Sequence, residues 1–199
     1  GRINSGSQVT SVTLSFSGST ITAGTAIFDG LVAGDFFFVS GATNDANNGT
    51  HKITTKSSDT VVVTSSLLTT EANTASCTVK QNVKGAEALS LQAHSSSATG
   101  TILQGDYIAV YNGSSLTANT PVQLVMAVED ATLTVNGGND HYSVAIQPKL
   151  RADLTNGHRA GFSSSFNKSR FRLQGNEVEW SANAANTYTG IAFDVVEVI

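Results

Sequence analysis

Apolar and polar residues alternate along most of the chain, and this pattern predicts a mostly β fold. Side chains two positions apart share one face of a strand, so alternation indicates a strand with one buried face. No segment keeps an apolar period of 3.6 over three turns, and the two short stretches rich in Ala, Glu or Leu, 70–75 and 84–92, do not predict helices. The predicted strands are 12–16, 53–55, 61–64, 77–79, 107–111, 122–128, 132–135, 142–146, 170–173, 177–181 and 190–198.

One short pattern occurs twice and indicates an internal duplication. Gly34-Asp35 and Gly105-Asp106 each precede an apolar run, and each glycine stands two positions after an apolar residue, Val32 or Leu103. Glycine accepts the positive φ of a tight turn, and aspartate closes an Asx-type turn with its own backbone, so each pair should lead into a core strand. Weaker correspondences relate 48–51 to 138–141 and 61–67 to 142–150.

The duplication predicts an all-β protein of two tandem small β-barrel or β-sandwich domains. We place the domains at 1–82 and 83–199, with the C-terminal strands completing the second. The stretch 80–88 gathers charged residues around Gly85, as a boundary between domains would. The polar stretch 155–169 is predicted to be a long loop, and such loops commonly contact a partner.

Composition excludes several classes of partner. The chain has 199 residues, of which 40% are hydrophobic and only 13% charged, with a net charge of −4. Nucleic acid is not an expected partner, because phosphate binding needs Lys and Arg on one face and the eleven here are scattered. Membrane insertion is not expected either, since apolar runs such as 36–39 fall far short of the roughly 20 residues that span a bilayer. A soluble protein is expected.

The residues that usually carry metal or thiol chemistry do not form a recognisable motif. Cys77 lies in an alternating stretch and is predicted to be a small buried hydrophobe. Two acid–histidine combinations, Asp140 with His141 and Asp45 with His51, lack the spacing that converges ligands on one ion. We therefore predict no metal and no cofactor. All four histidines are expected in exposed loops: His51, His94, His141 and His158.

No pattern predicts a catalytic site, so the chain is not expected to be an enzyme. Glu177 and Glu179 would share one strand face, as a pair of carboxylates for glycoside cleavage requires. With Val178 and Trp180 on the other face, the same pattern is typical of a half-exposed edge strand. A glycan hydrolase remains a minor alternative.

Three aromatic residues are consistent with a carbohydrate-binding function. Tyr111, Tyr142 and Trp180 are candidates for stacking on a sugar ring. With a single Trp in the chain, a core position for Trp180 is the simpler interpretation.

The C-terminal segments resemble the closing third of a family of small tailed-bacteriophage virion proteins. The resemblance lies in a Pro-x-Leu-Arg step at 148–151, the Phe-Arg-Leu run at 171–173, Trp180, and a Tyr-Gly-x-x-Phe pattern at 188–193 that Thr189 interrupts. The segment 21–64 similarly resembles short β modules that recur in phage tail and baseplate proteins.

The resemblance implies a structural component of a bacteriophage virion, located in the tail or the head–tail connection. Its expected partners are copies of itself, in a ring or array, and other virion structural proteins. The segment 1–8 or the segment 155–169 is expected to order across a neighbouring copy. Phe162, Phe166 and Phe171 are the candidate interface residues, because they interrupt a polar stretch. The alternative is a carbohydrate-binding, host-adhesion or head-decoration module on the virion surface.

Overall fold

A computed structural model describes residues 2–3, 9–93, 100–111, 113–115, 121–137, 140–155 and 157–162, together with four short strands beyond them. Its regular structure consists of antiparallel strands and one short 3-10 helix, Asp45–Asn47, which confirms the all-β prediction. In this part of the chain, no helix is long and apolar enough to cross a membrane. The strands are β1 (Arg2–Ile3), β2 (Val9–Ala23), β3 (Phe36–Ser40), β4 (Gly49–Lys56), β5 (Val61–Lys80), β6 (Ala88–Gln92), β7 (Thr101–Ile102), β8 (Tyr107–Tyr111), β9 (Pro121–Ala127), β10 (Ala131–Thr132), β11 (His141–Gln147), β12 (Ala160–Gly161), β13 (Phe171–Leu173), β14 (Ser181–Ala182), β15 (Tyr188–Thr189) and β16 (Val195–Glu197).

The first barrel is built from β2 to β5. Strand β3 pairs with β4, the start of β5 pairs with β4, and the end of β5 pairs with β3, so the three strands close a ring. Strand β2 follows β5 along most of its length through five register shifts, near which Gly18 adopts a φ of +58°. Such irregularities bend a long strand, and they let β5 reach both β3 and β4. The buried cluster inside spans residues 12–79 and includes Phe16, Phe28 and Phe37.

The second barrel is a six-stranded sheet in the order β1-β6-β11-β9-β8-β12. Ile3 of β1 also exchanges backbone hydrogen bonds with Gly157 and His158, which lie just before β12, so the two ends of the sheet meet. The enclosed cluster comprises Ile3 and residues between 83 and 160. The two clusters therefore lie on either side of the predicted boundary at 82/83, except that Ile3, from the segment assigned to the first domain, packs in the second.

The two Gly-Asp turns have the same hydrogen bonds. Gly34 and Gly105 adopt φ values of +97° and +91°, as predicted for the turn glycine. In each copy the aspartate Oδ2 accepts the amide N–H of the residue three positions earlier, at 2.9 Å in both. The carboxylate thus reaches backwards along the chain, so the Asx-type closure expected from the sequence is wrong while the turn itself is confirmed.

The backbone of each turn also starts the hairpin in the same way. The Gly34 N–H donates to the carbonyl oxygen of Ile53 in β4, and the Ile53 N–H donates to the carbonyl oxygen of Asp35. Gly105 and Asp106 make the same two bonds with Ala127 of β9. These bonds relate β3 and β4 to β8 and β9. The weaker correspondence of 48–51 with 138–141 is therefore wrong, because 48–51 leads into the strand that matches β9, not β11.

The segment between the barrels is packed, unlike a free linker. Gln81 and Asn82 are 4% and 1% exposed. The Asn82 side chain donates to the carbonyl oxygen of Ser90 and accepts its amide N–H, as a paired strand would. Polar composition near Gly85 suggested an open boundary, but these amides are buried because they satisfy backbone groups of the adjoining strands.

The short C-terminal strands pair with one another. Strand β13 pairs with β16, and β14 pairs with β15. Completion of the second domain by these strands stays a prediction, and most of the predicted strand 177–181 lies outside the described residues. The strand that the structure shows completing the second barrel is β1.

Candidate functional site

A buried hydrogen bond between an aspartate and a histidine joins the two barrels. Asp35, at the end of the first Gly-Asp turn, places Oδ1 2.6 Å from Nε2 of His141, the first residue of β11. The side chains are 0% and 2% exposed. Because Oδ2 of Asp35 accepts the Val32 amide, both carboxylate oxygens have partners. We call this pair and the hydrogen bonds around it the junction.

Backbone and side-chain amides extend the junction on both sides of the pair. The Phe36 N–H donates to Ser143 Oγ at 3.0 Å, and the Phe36 carbonyl oxygen accepts from Gln81 Nε2 at 2.7 Å. Asn136 Nδ2 donates to the Gly30 carbonyl oxygen at 2.9 Å. Burying polar groups is costly unless they are hydrogen-bonded, so these contacts stabilise the barrels only while they remain together.

The junction contains the residue types of a hydrolase triad but not its function. Asp35, His141 and Ser143 lie together, yet the first two are closed to solvent. Ser143 Oγ accepts the Phe36 N–H, which fixes the hydroxyl oxygen on the backbone of the other barrel. A catalytic nucleophile must be activated where it contacts its substrate, and an acid–base pair closed to solvent cannot activate a nucleophile beside a bound substrate. The junction therefore connects the two barrels and its Asp35–His141 pair is closed to solvent.

An open cleft of about 360 Å³ lies beside the junction, between the barrels. Phe36, Lys52 and Glu129 are among the residues that line it. Lys52 forms an ion pair with Glu129 across the cleft, and its Nζ lies 5.0 Å from the centroid of the Phe36 ring. Lys52 and Glu129 neutralise each other, and Glu87, which also lines the cleft, forms its own ion pair with Lys149.

His51 is a buried neutral side chain in β4, 4% exposed. Burial lowers the pKa of His51 and outweighs the hydrogen bond between Nε2 and the Asn47 carbonyl oxygen, which raises it. Its ring tilts against Phe37, with centroids 5.7 Å apart. The prediction of exposed loop histidines is wrong for His51 and His141, because both lie in strands, where His51 packs against Phe37 and His141 bonds Asp35. His94 lies outside the described residues.

The two acid–histidine combinations do not come together as metal ligands. Asp140 accepts the Asn136 N–H, while its neighbour His141 bonds Asp35. His51 bonds the Asn47 backbone. Within the part of the chain that the structure describes, no three His, Cys, Asp or Glu side chains converge as a metal site.

Glu71 of β5 holds the loop before β4, a role that the sequence did not indicate. Its carboxylate accepts the amide N–H groups of Thr43 and Asn44, the side-chain amide of Asn47 and the hydroxyl of Thr74. Burial alone would raise the pKa of Glu71, but these hydrogen bonds outweigh it and lower the pKa to about 2. The carboxylate therefore stabilises the loop in its ionised form.

The candidate sugar-stacking residues are not gathered into a site. Tyr111 is 2% exposed, so the prediction that it stacks on a glycan is wrong: its ring is enclosed by the second barrel. Tyr142 is half-buried and its hydroxyl donates to the Gly100 carbonyl oxygen at 3.4 Å. Trp180 lies outside the described residues, as do Glu177 and Glu179.

The candidate interface residues are described only in part. Phe162, which follows β12, is 40% exposed. Phe166 lies outside the described residues, and for Phe171 only the backbone in β13 is described. Other large apolar side chains are exposed on both barrels: Leu67, Leu103, Tyr107 and Val135.

Cys77 has the position that its sequence context predicted. It lies in β5 with 0% exposure. Burial, with a smaller contribution from the Glu71 charge, raises the pKa of the thiol. The confirmed role is that of a small core residue.

Comparison of the chain with protein-family models, with curated proteins and with solved structures gave no match.

Proposed function

We propose that this protein is a structural subunit of a bacteriophage virion, in the tail or the head–tail connection, that assembles with copies of itself into a ring or array. The observation that carries the proposal is the junction. Buried contacts such as Asp35–His141 join the barrels and make their relative movement costly. A joined pair of barrels suits a building block, whose contacts must keep one geometry from copy to copy.

The exterior supports the same interpretation. Few residues carry charge, and the net charge of −4 is spread over 199 residues, so repulsion between neighbouring copies is weak. Leu67 and Val135 are 85% and 74% exposed, which leaves apolar area on each barrel for contacts between subunits. Phe162 adds a third such position near the closure of the second barrel.

The alternative proposal, a carbohydrate-binding, host-adhesion or head-decoration module, has less support. Of the aromatic residues that suggested it, Tyr111 is buried and Tyr142 is only partly accessible. A decoration protein would be located on the head surface of the particle and not in the tail or the head–tail connection. A glycan-binding module would need a stacking surface, which the described residues do not assemble.

The composition of purified particles tests the proposal. Tailed particles released from cells that carry the gene should contain this chain in many copies, measured by quantitative peptide mass spectrometry. Antibody labelling in electron micrographs should place it at the tail or the head–tail connection. Labelling over the head surface would favour decoration, and absence from particles combined with glycan binding by the isolated chain would contradict a structural role.

A further inference from the structure

Residues 2–3 fill a slot in the second barrel. The Ile3 N–H donates to the His158 carbonyl oxygen at 2.7 Å, and its own carbonyl oxygen accepts the Gly157 N–H at 3.2 Å. On the other side, Ile3 pairs with Leu91 of β6. The Ile3 side chain is 0% exposed and belongs to the core of this barrel. We call the gap between β6 and residues 157–158 the strand slot.

The segment that fills the strand slot is attached to the other barrel. Six residues after Ile3, the chain enters β2 at Val9, which pairs with Val79 in the first barrel. Six residues of extended chain span at most about 20 Å. The second barrel is thus closed by a piece of chain that continues into the first barrel, and the connecting residues 4–8 have the Gly- and Ser-rich composition of a linker.

We propose that, in the assembled protein, the segment 1–8 of one copy enters the strand slot of a neighbouring copy and closes that copy's second barrel. The proposal rests on the proposed self-assembly and names its contact. The strand slot recognises backbone groups on both edges of the segment and one buried isoleucine. A second copy presents the same atoms, so the contact serves equally well within a chain or between chains.

Exchange of this kind gives each copy one segment to donate and one slot to fill. The contact is heterologous, so its repetition generates a ring when the rotation closes and an open array when it does not. It is a form of β-strand addition, in which main-chain hydrogen bonds supply the affinity and the side-chain pocket supplies the register. Here the Ile3 pocket sets the register.

A disulfide trap distinguishes the two ways of filling the strand slot. Arg2 and Gln92 are partners across the β1–β6 ladder, and partners of that kind have the Cα separation that a disulfide needs. The full chain would carry Arg2→Cys and Gln92→Cys, with Cys77→Ala to remove the native thiol, and would be oxidised after assembly. The matched control carries Arg2→Cys and Cys77→Ala alone.

The expected result is a ladder of covalent multimers on a non-reducing gel, present in the double-cysteine chain and reduced to background in the control. A chain that sizes as an oligomer but forms only internal disulfides would overturn strand exchange and leave the proposed function intact. A chain that stays monomeric at every concentration, again with internal disulfides, would overturn both.

A peptide experiment tests the strand slot itself. A chain that begins at residue 9 should bind a fluorescent peptide of residues 1–8, measured by anisotropy, and the same peptide with Ile3→Asp should bind at least tenfold more weakly. Circular dichroism of the truncated chain is the control for folding. A folded truncated chain that binds both peptides equally would overturn the role of the Ile3 pocket; if the truncation does not fold, the disulfide trap decides.

Discussion

The two Gly-Asp turns show how one local pattern acquires two different roles. Asp35 and Asp106 make equivalent turn hydrogen bonds, and each starts a hairpin of similar design. Asp106 is exposed, whereas Asp35 is fully buried and also contacts His141 of the other barrel. The turn is therefore a local property of the sequence, while the junction depends on where the fold places the turn.

The largest expected difference between the turns comes from removing each carboxylate. Asp35→Ala removes the carboxylate that Nε2 of the buried His141 contacts and should lower the free energy of unfolding by about 3 kcal/mol. Asp106→Ala removes one turn hydrogen bond near solvent and should cost about 1 kcal/mol. Urea denaturation of the two variants measures both values. Similar losses in the two variants would show that the junction contributes little.

A double variant sharpens the same comparison. When His141→Ala is added to Asp35→Ala, neither member of the hydrogen-bonded pair stays behind in the core, so the double variant should lose less stability than the sum of the single variants. Additive losses, measured in the same denaturation experiment, would mean that the two side chains act independently.

The turn glycines are expected to behave alike. Gly34 and Gly105 have similar positive φ values, and an added Cβ would meet no atom within 4 Å at either position. Alanine should therefore cost about 1–2 kcal/mol at each site, through backbone strain alone. Urea denaturation measures the free energy of unfolding of both variants. If one variant loses clearly more stability than the other, the two turns are not equivalent.

The local features of this fold were predictable from sequence, and the long-range ones were not. The positive φ at both turn glycines followed from the residue types, and alternation indicated most of the strands. Residues 70–75 do not alternate, yet they continue β5, because its ladder with β2 and the hydrogen bonds of Glu71 hold them extended. Local sequence carries no sign of such partners.

The junction was missed for a similar reason. Asp35 and His141 are 106 positions apart. The sequence neighbour of His141 is another acid, Asp140, with which it was considered as a possible pair of metal ligands. Only the packing of the barrels decides which carboxylate the imidazole meets. Gln81 and Asn82 show the same limit, because nothing in their local sequence indicates that the fold uses them as buried partners of backbone groups.

Glu71 provides a test confined to the first barrel. Glu71→Gln should destabilise the protein by on the order of 1 kcal/mol at neutral pH, because the ionised carboxylate accepts hydrogen bonds from four donors. With the pKa lowered from 4.5 to about 2 in the folded protein, this stabilisation is complete above pH 4.5 and is lost as the pH falls towards 2.

The stability difference between the parent and Glu71→Gln should therefore shrink between pH 4.5 and 2, as followed by urea denaturation. Gly105→Ala in the second barrel serves as the control, because it changes no titratable group. A difference that is constant over this range would contradict the role assigned to the carboxylate.

The smallest effect on folding is expected from exposed apolar residues. Phe162→Ser and Leu67→Ser should each change the free energy of unfolding by less than about 0.5 kcal/mol, since both side chains reach solvent. Phe162 follows β12, next to the strand slot, so its variant should weaken self-association by roughly tenfold while Leu67→Ser has the smaller effect. Light scattering during dilution measures self-association of both variants. If the contact between copies lies on the first barrel, Leu67→Ser should weaken self-association more than Phe162→Ser.

The molar mass of the purified chain in solution tests self-assembly most directly. Sedimentation velocity over a hundredfold range of concentration should reveal a discrete species at a fixed multiple of the 20.6 kDa chain, or a series of such multiples that grows with concentration. A single species of 20.6 kDa throughout that range, and in the presence of the other components of the particle, would contradict the proposal that these barrels are building blocks for one another.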